Sequence, residues 1–172
     1  MSAQASPATM SPDEFRAAVA KMRATYPDER SAVLPALRLA QERHGGWLPG
    51  EAFREVADAL DTTPAFCLSI ATFYDMFHVE PVGRRLVEVC TNISCALSGA
   101  QDVVDAFERE LGIHVGETSD DGSVTLRTVE CLGGCGWATV VAIDNHHRLN
   151  VRAGDVRGIA RELEVQDGEG LA

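Results

Sequence analysis

No stretch of about eighteen uninterrupted apolar residues occurs in the chain, which excludes a membrane-spanning helix by hydropathy. A Lys/Arg-rich run is also missing: 15 basic residues face 26 acidic ones, for a formal net charge of −11. That field repels phosphate backbones and anionic lipid headgroups, so nucleic acid and membrane surfaces are excluded as partners. The opening residues MSAQASPATM have neither a basic segment nor an apolar one of the leader type, and the expectation is a soluble protein of the cytoplasm. No Gly-rich loop of the kind that cradles phosphates is present, so the chain is not expected to bind NADH or flavin itself. No nucleophile–base pair stands out either, and no catalytic residue is assigned.

What remains is 172 residues, 45% apolar, enough for one good core or two small ones without help from disulfides. Residues 1–10 are small and polar and read as a disordered tail. Ser11-Pro12-Asp13-Glu14 combines an N-cap, a proline at the first helical position and a capping-box glutamate, and Phe15, Ala18, Val19 and Met22 follow at helical spacing. A second helix runs from about Leu34 to His44 and stops at Gly45-Gly46, and a third carries Phe53, Val56, Ala57 and Leu60. The fourth, from Thr63-Pro64 to Tyr74, is apolar almost all round and is expected to be central and buried, with Phe73, Tyr74 and Phe77 in the core. Residues 11–80 thus read as a helical bundle.

After Pro81-Val82-Gly83 the pattern changes. Leu86–Cys90 reads as a strand; a loop follows, then a helix bearing Val103, Val104, Phe107 and Leu111. Asp121-Gly122 turns the chain into a second strand over Val124–Val129, and Thr139–Ile143 reads as a third, ending in a polar turn that contains His146-His147. A last helix presents Val156, Ile159, Ala160 and Leu163 on one face. The order β-α-β-β-α over residues 81–165 implies a compact α/β layer structure, followed by a polar tail over 166–172.

The five cysteines fall into two close pairs and one outlier. In a reducing compartment that grouping favours metal binding over disulfides. Cys90 and Cys95 form a C-x4-C pair directly after one strand; Cys131 and Cys135 form a C-x3-C pair directly after another. A [2Fe–2S] cluster needs four thiolates, two per iron, and these wide spacings suit loops wrapping a group broader than one ion. Gly133, Gly134 and Gly136 let the backbone approach the sulfurs, and Thr91, Asn92 and Ser94 supply further donors. Zinc on four thiolates is the alternative, although zinc sites favour x2 knuckles on both sides. A dithiol oxidoreductase is disfavoured because no C-x-x-C occurs, and Cys67, among Phe66, Leu68 and Ile70, reads as a core thiol. His44, His146-His147 and the acidic run Glu117–Asp121 read as a helix end and solvated turns.

The run from Ala71 to Phe77 (ATFYDMF), Pro81-Val82-Gly83, Cys90-Thr91-Asn92, Gly116-Glu117-Thr118 with Asp121-Gly122, and the run from Val129 to Gly136 (VECLGGCG) occur in that order. Together they resemble the thioredoxin-like [2Fe–2S] subunit of respiratory NADH:quinone oxidoreductase, its E subunit, over about residues 11–163. The resemblance implies an α+β chain, a helical bundle followed by a thioredoxin-like [2Fe–2S] ferredoxin domain, and it sets zinc aside. It carries the family's four ligand positions onto Cys90, Cys95, Cys131 and Cys135. It implies a partnership with the FMN-containing, NADH-oxidising subunit, to whose flavin the hydride passes and with which the cluster exchanges single electrons. The isolated chain would not oxidise NADH, and would lie, without membrane insertion, in the peripheral part of a membrane-associated complex. Similar subunits serve NAD-linked formate dehydrogenases and NAD-reducing hydrogenases, which remain alternatives, as does a zinc-stabilised assembly module of a different class. One departure stands out: the family has Ala-Pro where this chain has Ala138-Thr139, a change expected to alter local backbone geometry or cluster potential without removing a ligand.

Overall fold

A computed structural model describes residues 10–169, so the tail expected before Met10 and the last residues, 170–172, lie outside the described residues. The chain divides into two compact units, Met1–Pro81 and Val82–Ala172. The first is helical: α1 (Pro12–Arg23), α2 (Val33–Arg43), α3 (Gly50–Leu60) and α4 (Pro64–Phe73). The capping box forms, with Glu14 N–H donating to Ser11 Oγ at 3.3 Å and Ser11 N–H donating to the Glu14 carboxylate at 2.7 Å. Phe15, Val19, Leu37, Leu48, Val56 and Cys67 close the bundle core. Here one expectation fails. α4 buries only Cys67 and Ala71, because it packs on α2 and α3 from one side, and Phe73 is left 78% exposed with Tyr74 partly open beside it. Of the three aromatic residues expected in the core, only Phe77 is buried.

The second unit comprises β1 (Arg85–Cys90), α5 (Ile93–Leu97), α6 (Ala100–Leu111), β2 (Val124–Val129), β3 (Val141–Ile143), β4 (His146–Arg148) and α7 (Val156–Glu169). The sheet order is β2-β1-β3-β4. β1 and β2 run parallel, joined by α6 as a crossover, whereas β1–β3 and β3–β4 are antiparallel. Side chains alternate across the strands. Val87, Val89, Leu126, Val141 and Ile143 share the face that meets Phe107, Val103, Val156 and Ile159 of the helices. On the other face, register partners Glu88 and Arg127 form an ion pair, with Arg127 Nη2 2.6 Å from Glu88 Oε1 and Glu88 buried.

Four local differences from the sequence reading have physical causes. α5 is too short for its period to be seen, and occupies part of what reads as loop. β4 exists because Asp144 and Asn145 both adopt positive φ, 49° and 65°, a tight two-residue turn that folds His146 back onto Ile143; the two histidines are edge-strand residues, not turn residues. β3 begins only at Val141, since the Thr139 carbonyl accepts from Val151 N–H at 2.9 Å and not from the sheet. α7 continues to Glu169, into the segment read as a polar tail.

Phe107, fully buried where α6 meets the sheet, is the largest side chain of that core. Phe107→Ala should cost about 3–5 kcal/mol of stability in guanidinium unfolding; a loss below about 1 kcal/mol would contradict the packing described.

Candidate metal centre

The parallel register sets the geometry. Cys90, the last residue of β1, stands opposite Val129, the last residue of β2, so the loops that follow both strands leave the sheet at one edge. β3 runs antiparallel to β1, and the segment entering it, Ala138-Thr139-Val140, arrives at that same edge. There Cys90 N–H donates to the Val140 carbonyl at 3.0 Å, and Thr91 N–H donates to the Val129 carbonyl at 3.0 Å. The Thr91 hydroxyl also turns to the Val129 carbonyl, at 3.4 Å, and so does not point to a sulfur as the sequence suggests.

Asn92 stands at the N-terminus of α5, its main-chain carbonyl accepting from Ala96 N–H at 2.8 Å and its side chain making no capping bond, and α5 carries the buried Cys95. Cys90 and Cys95 are both buried and pack with Ala100, Val129 and Val140, with Leu132 and Ala138 alongside. Burial pushes the Cys95 thiol up; a backbone hydrogen bond at Val140 opposes this, while the neighbouring Cys90 and Cys135 sulfurs push it further up. Cys90 and Cys135 are thus both near neighbours of Cys95. Cys131 and Cys135 are exposed. Gly133 N–H donates to Cys131 Sγ at 3.3 Å, with Gly133 at φ +74, a conformation that favours glycine. Gly134 is required for space instead, because a Cβ there would lie 2.8 Å from Val140 Cγ2. Gly136 faces open space and meets neither need. Cys135, Gly136 and Trp137 form one 3-10 turn, anchored by Asn150 N–H on the Trp137 carbonyl at 2.9 Å. The Ala138–Thr139 peptide is cis.

Among the described residues, no three His, Cys, Asp or Glu side chains are grouped as ligands of a single ion. The four cysteines expected as ligands offer soft thiols instead, Cys90 and Cys95 deep, at the end of β1 and in α5, and Cys131 and Cys135 at the surface, with a backbone N–H already directed at the Cys131 sulfur. This chemistry fits an iron–sulfur cluster, whose irons take two thiolates each. Cys67 belongs to α4 of the first unit, where it is fully buried, and burial raises its thiol to about 11.

Residues 19–164 match the family model of the thioredoxin-like [2Fe–2S] ferredoxin. The chain belongs to this family. Its cofactor is accordingly a [2Fe–2S] cluster, and the α+β fold and the family read from the sequence motifs are borne out. This ferredoxin is 44% identical over 141 residues to the NADH-quinone oxidoreductase E 2 subunit of Rhizobium meliloti (strain 1021), a match covering 82% of this chain and 81% of the relative. It is 43% identical over 119 residues to the NADH-quinone oxidoreductase E subunit of Rickettsia felis (strain ATCC VR-1525 / URRWXCal2), covering 69% and 71%. It also superposes on an air-oxidized NAD+-reducing [NiFe]-hydrogenase crystal structure with a TM-score of 0.69 at 19% identity. That match covers 78% of this chain and 23% of the hydrogenase chain, and shows the fold alone.

In the cluster-free protein at about pH 8, near the ordinary thiol range, iodoacetamide should label Cys131 and Cys135 first and Cys67 last, read by mass spectrometry. Above the ordinary thiol range and up to about 11, ionisation of Cys67 should destabilise the fold, because its raised value makes the protonated form the one that folding favours. Labelling of Cys67 in the native chain as fast as Cys131 would contradict its burial.

Proposed function

We propose that this ferredoxin is the E-type electron-transfer subunit of an NADH–quinone oxidoreductase, with Cys90, Cys95, Cys131 and Cys135 as the cluster's four thiolate ligands. The observation that carries the ligand set is the Cys90–Val129 register, which supports delivery of both cysteine loops to one sheet edge. Identity of 44% across most of both chains favours this complex over a hydrogenase, for which only the fold speaks. When bound, the cluster takes up and releases one electron at a time.

The chain's own residues do the holding and shielding. Cys90 and Cys95 grip from the interior, where Val129, Val140, Leu132 and Ala138 keep water away. Cys131 and Cys135 grip from the surface, and the Gly133 N–H steadies Cys131 Sγ. Beside these cysteines, Ile93 and Leu97 of α5 and Trp137 of the Cys135–Trp137 turn, two elements in contact, are exposed by 71%, 85% and 58%. Such an apolar rim on an acidic chain suits docking against a protein partner and not solvent. On this reading NADH binding belongs to that partner, the FMN-bearing subunit, and the lone chain does not oxidise NADH; the sequence offers no dinucleotide-cradling loop that would favour the contrary. Among the described residues no helix is long and apolar enough to cross a membrane. The position that belongs to this reading is the hydrophilic, peripheral part of the complex.

Metal analysis tests the ligand set first. The purified chain should carry two irons and two acid-labile sulfides and give one reduced [2Fe–2S] EPR signal; a colourless protein with a single zinc overturns the reading. Cys131→Ala should abolish iron binding, whereas Cys67→Ala should keep it at a cost of about 1–2 kcal/mol in stability. NADH should leave the lone chain oxidised and reduce it once the flavoprotein partner is added. Trp137→Ala should slow that reduction more than it weakens assembly. Rapid cluster reduction by NADH without a partner would require a nucleotide site on this chain.

A further inference from the structure

We propose that the Thr139 hydroxyl donates a hydrogen bond to a sulfur of the [2Fe–2S] centre and so raises its reduction potential, an inference that rests on the ligand assignment above. Among the described residues only two buried side-chain polar atoms have no hydrogen-bond partner, Arg85 Nε and Thr139 Oγ1. Arg85 Nε lies 2.9 Å from Asp144 Oδ2 in an ion pair, so its charge is compensated. Thr139 is fully buried, and its hydroxyl has no such compensation. Buried hydroxyls are ordinarily satisfied, and an exception calls for a cause.

The surroundings supply one. The residues on either side of Thr139, Ala138 and Val140, pack against Cys90 and Cys95. Two main-chain acceptors beside it already receive one bond each, the Val140 carbonyl from Cys90 N–H and the Thr139 carbonyl from Val151 N–H, and the hydroxyl joins neither as a second donor. No protein acceptor among the described residues takes this hydroxyl, so the acceptor it lacks is one that a bound group would bring, a sulfur of the cluster. A hydroxyl needs an acceptor, and a sulfur becomes a better one as negative charge accumulates on it. One electron added to the centre, with no bond broken and no proton moved, increases that charge. The hydrogen bond therefore strengthens on reduction, favours the reduced form and raises the potential. Thr139 acts here as a positioning residue, through a sulfur and not on a substrate.

The test uses the full chain loaded with its cluster, iron content verified, in a mediated redox titration followed by the EPR signal of the reduced centre. Thr139→Val keeps the shape and removes the hydroxyl. It should lower the reduced-to-oxidised ratio at a fixed ambient potential about tenfold, a downward shift of about 59 mV for one electron. Thr139→Ser retains a donor and should stay near the parent value. If the valine variant does not load, Thr139→Ala takes its place and should also fall below Thr139→Ser. Equal potentials in loaded Val or Ala, Ser and parent proteins overturn the proposal, as does a serine variant that falls as far as valine. A buried water as the hydroxyl's partner leads to the first of these outcomes. A parent chain that binds no iron overturns the ligand assignment itself, and is distinguished from failure of the Thr139 inference by the metal analysis alone.

Discussion

The site depends on the parallel pairing of β1 with β2, and that pairing has a lock two residues before the cysteine. Glu88 and Arg127 face each other in register and form a short ion pair with Glu88 buried. A slip of one residue would turn every side chain of the strand to the opposite face, leaving a buried carboxylate among valines. Breaking a buried ion pair by removing one partner costs about 3–5 kcal/mol, far more than a surface pair contributes. The same register sets Cys90 opposite Val129 and lets the two cysteine loops begin side by side. An interaction remote from redox chemistry thus governs where the two cysteine loops begin.

Other constraints are local. Gly133 supplies a backbone conformation that turns its N–H onto Cys131, and Gly134 supplies room beside Val140. The segment from Ala138 to Val140 closes the edge from the third side, tied to Asn150 and Val151 through main-chain hydrogen bonds at Trp137 and Thr139. Three segments distant in sequence meet at one edge, as ligand sites do outside the carboxyl ends of strands in α/β sheets.

Features with short-range signals were legible in the sequence. Ser11 and Glu14 marked the start of α1, Asp121-Gly122 marked the turn into β2, and both ends of β2 agree with the residues read as a strand. The two cysteine pairs were legible as pairs, since spacing is a property of the chain itself. Features decided by long-range packing were not. The apolar run of α4 looks alike on all sides, and only the arrival of α2 and α3 from one direction separates buried Cys67 from exposed Phe73. His146 and His147 looked like turn residues because the turn itself, Asp144-Asn145, is just two residues long. Thr139 was visible as a departure from the family's motif, but whether its hydroxyl had a partner could be seen only once Ala138 and Val140 were in place around the thiols.

The unequal exposure of the two cysteine pairs also governs how the protein ages. Once the cluster is lost, Cys131 and Cys135 meet peroxide and oxygen first, while Cys90, Cys95 and Cys67 are sheltered by the core. Oxidation climbs from sulfenic acid or a disulfide, which reductants reverse, to sulfinic and sulfonic acids, which they do not. Damage therefore starts on one surface loop, and early in that course the interior pair survives as intact thiols. With the four cysteines as the proposed ligands, a protein oxidised only that far would need repair at a single loop before taking up iron again.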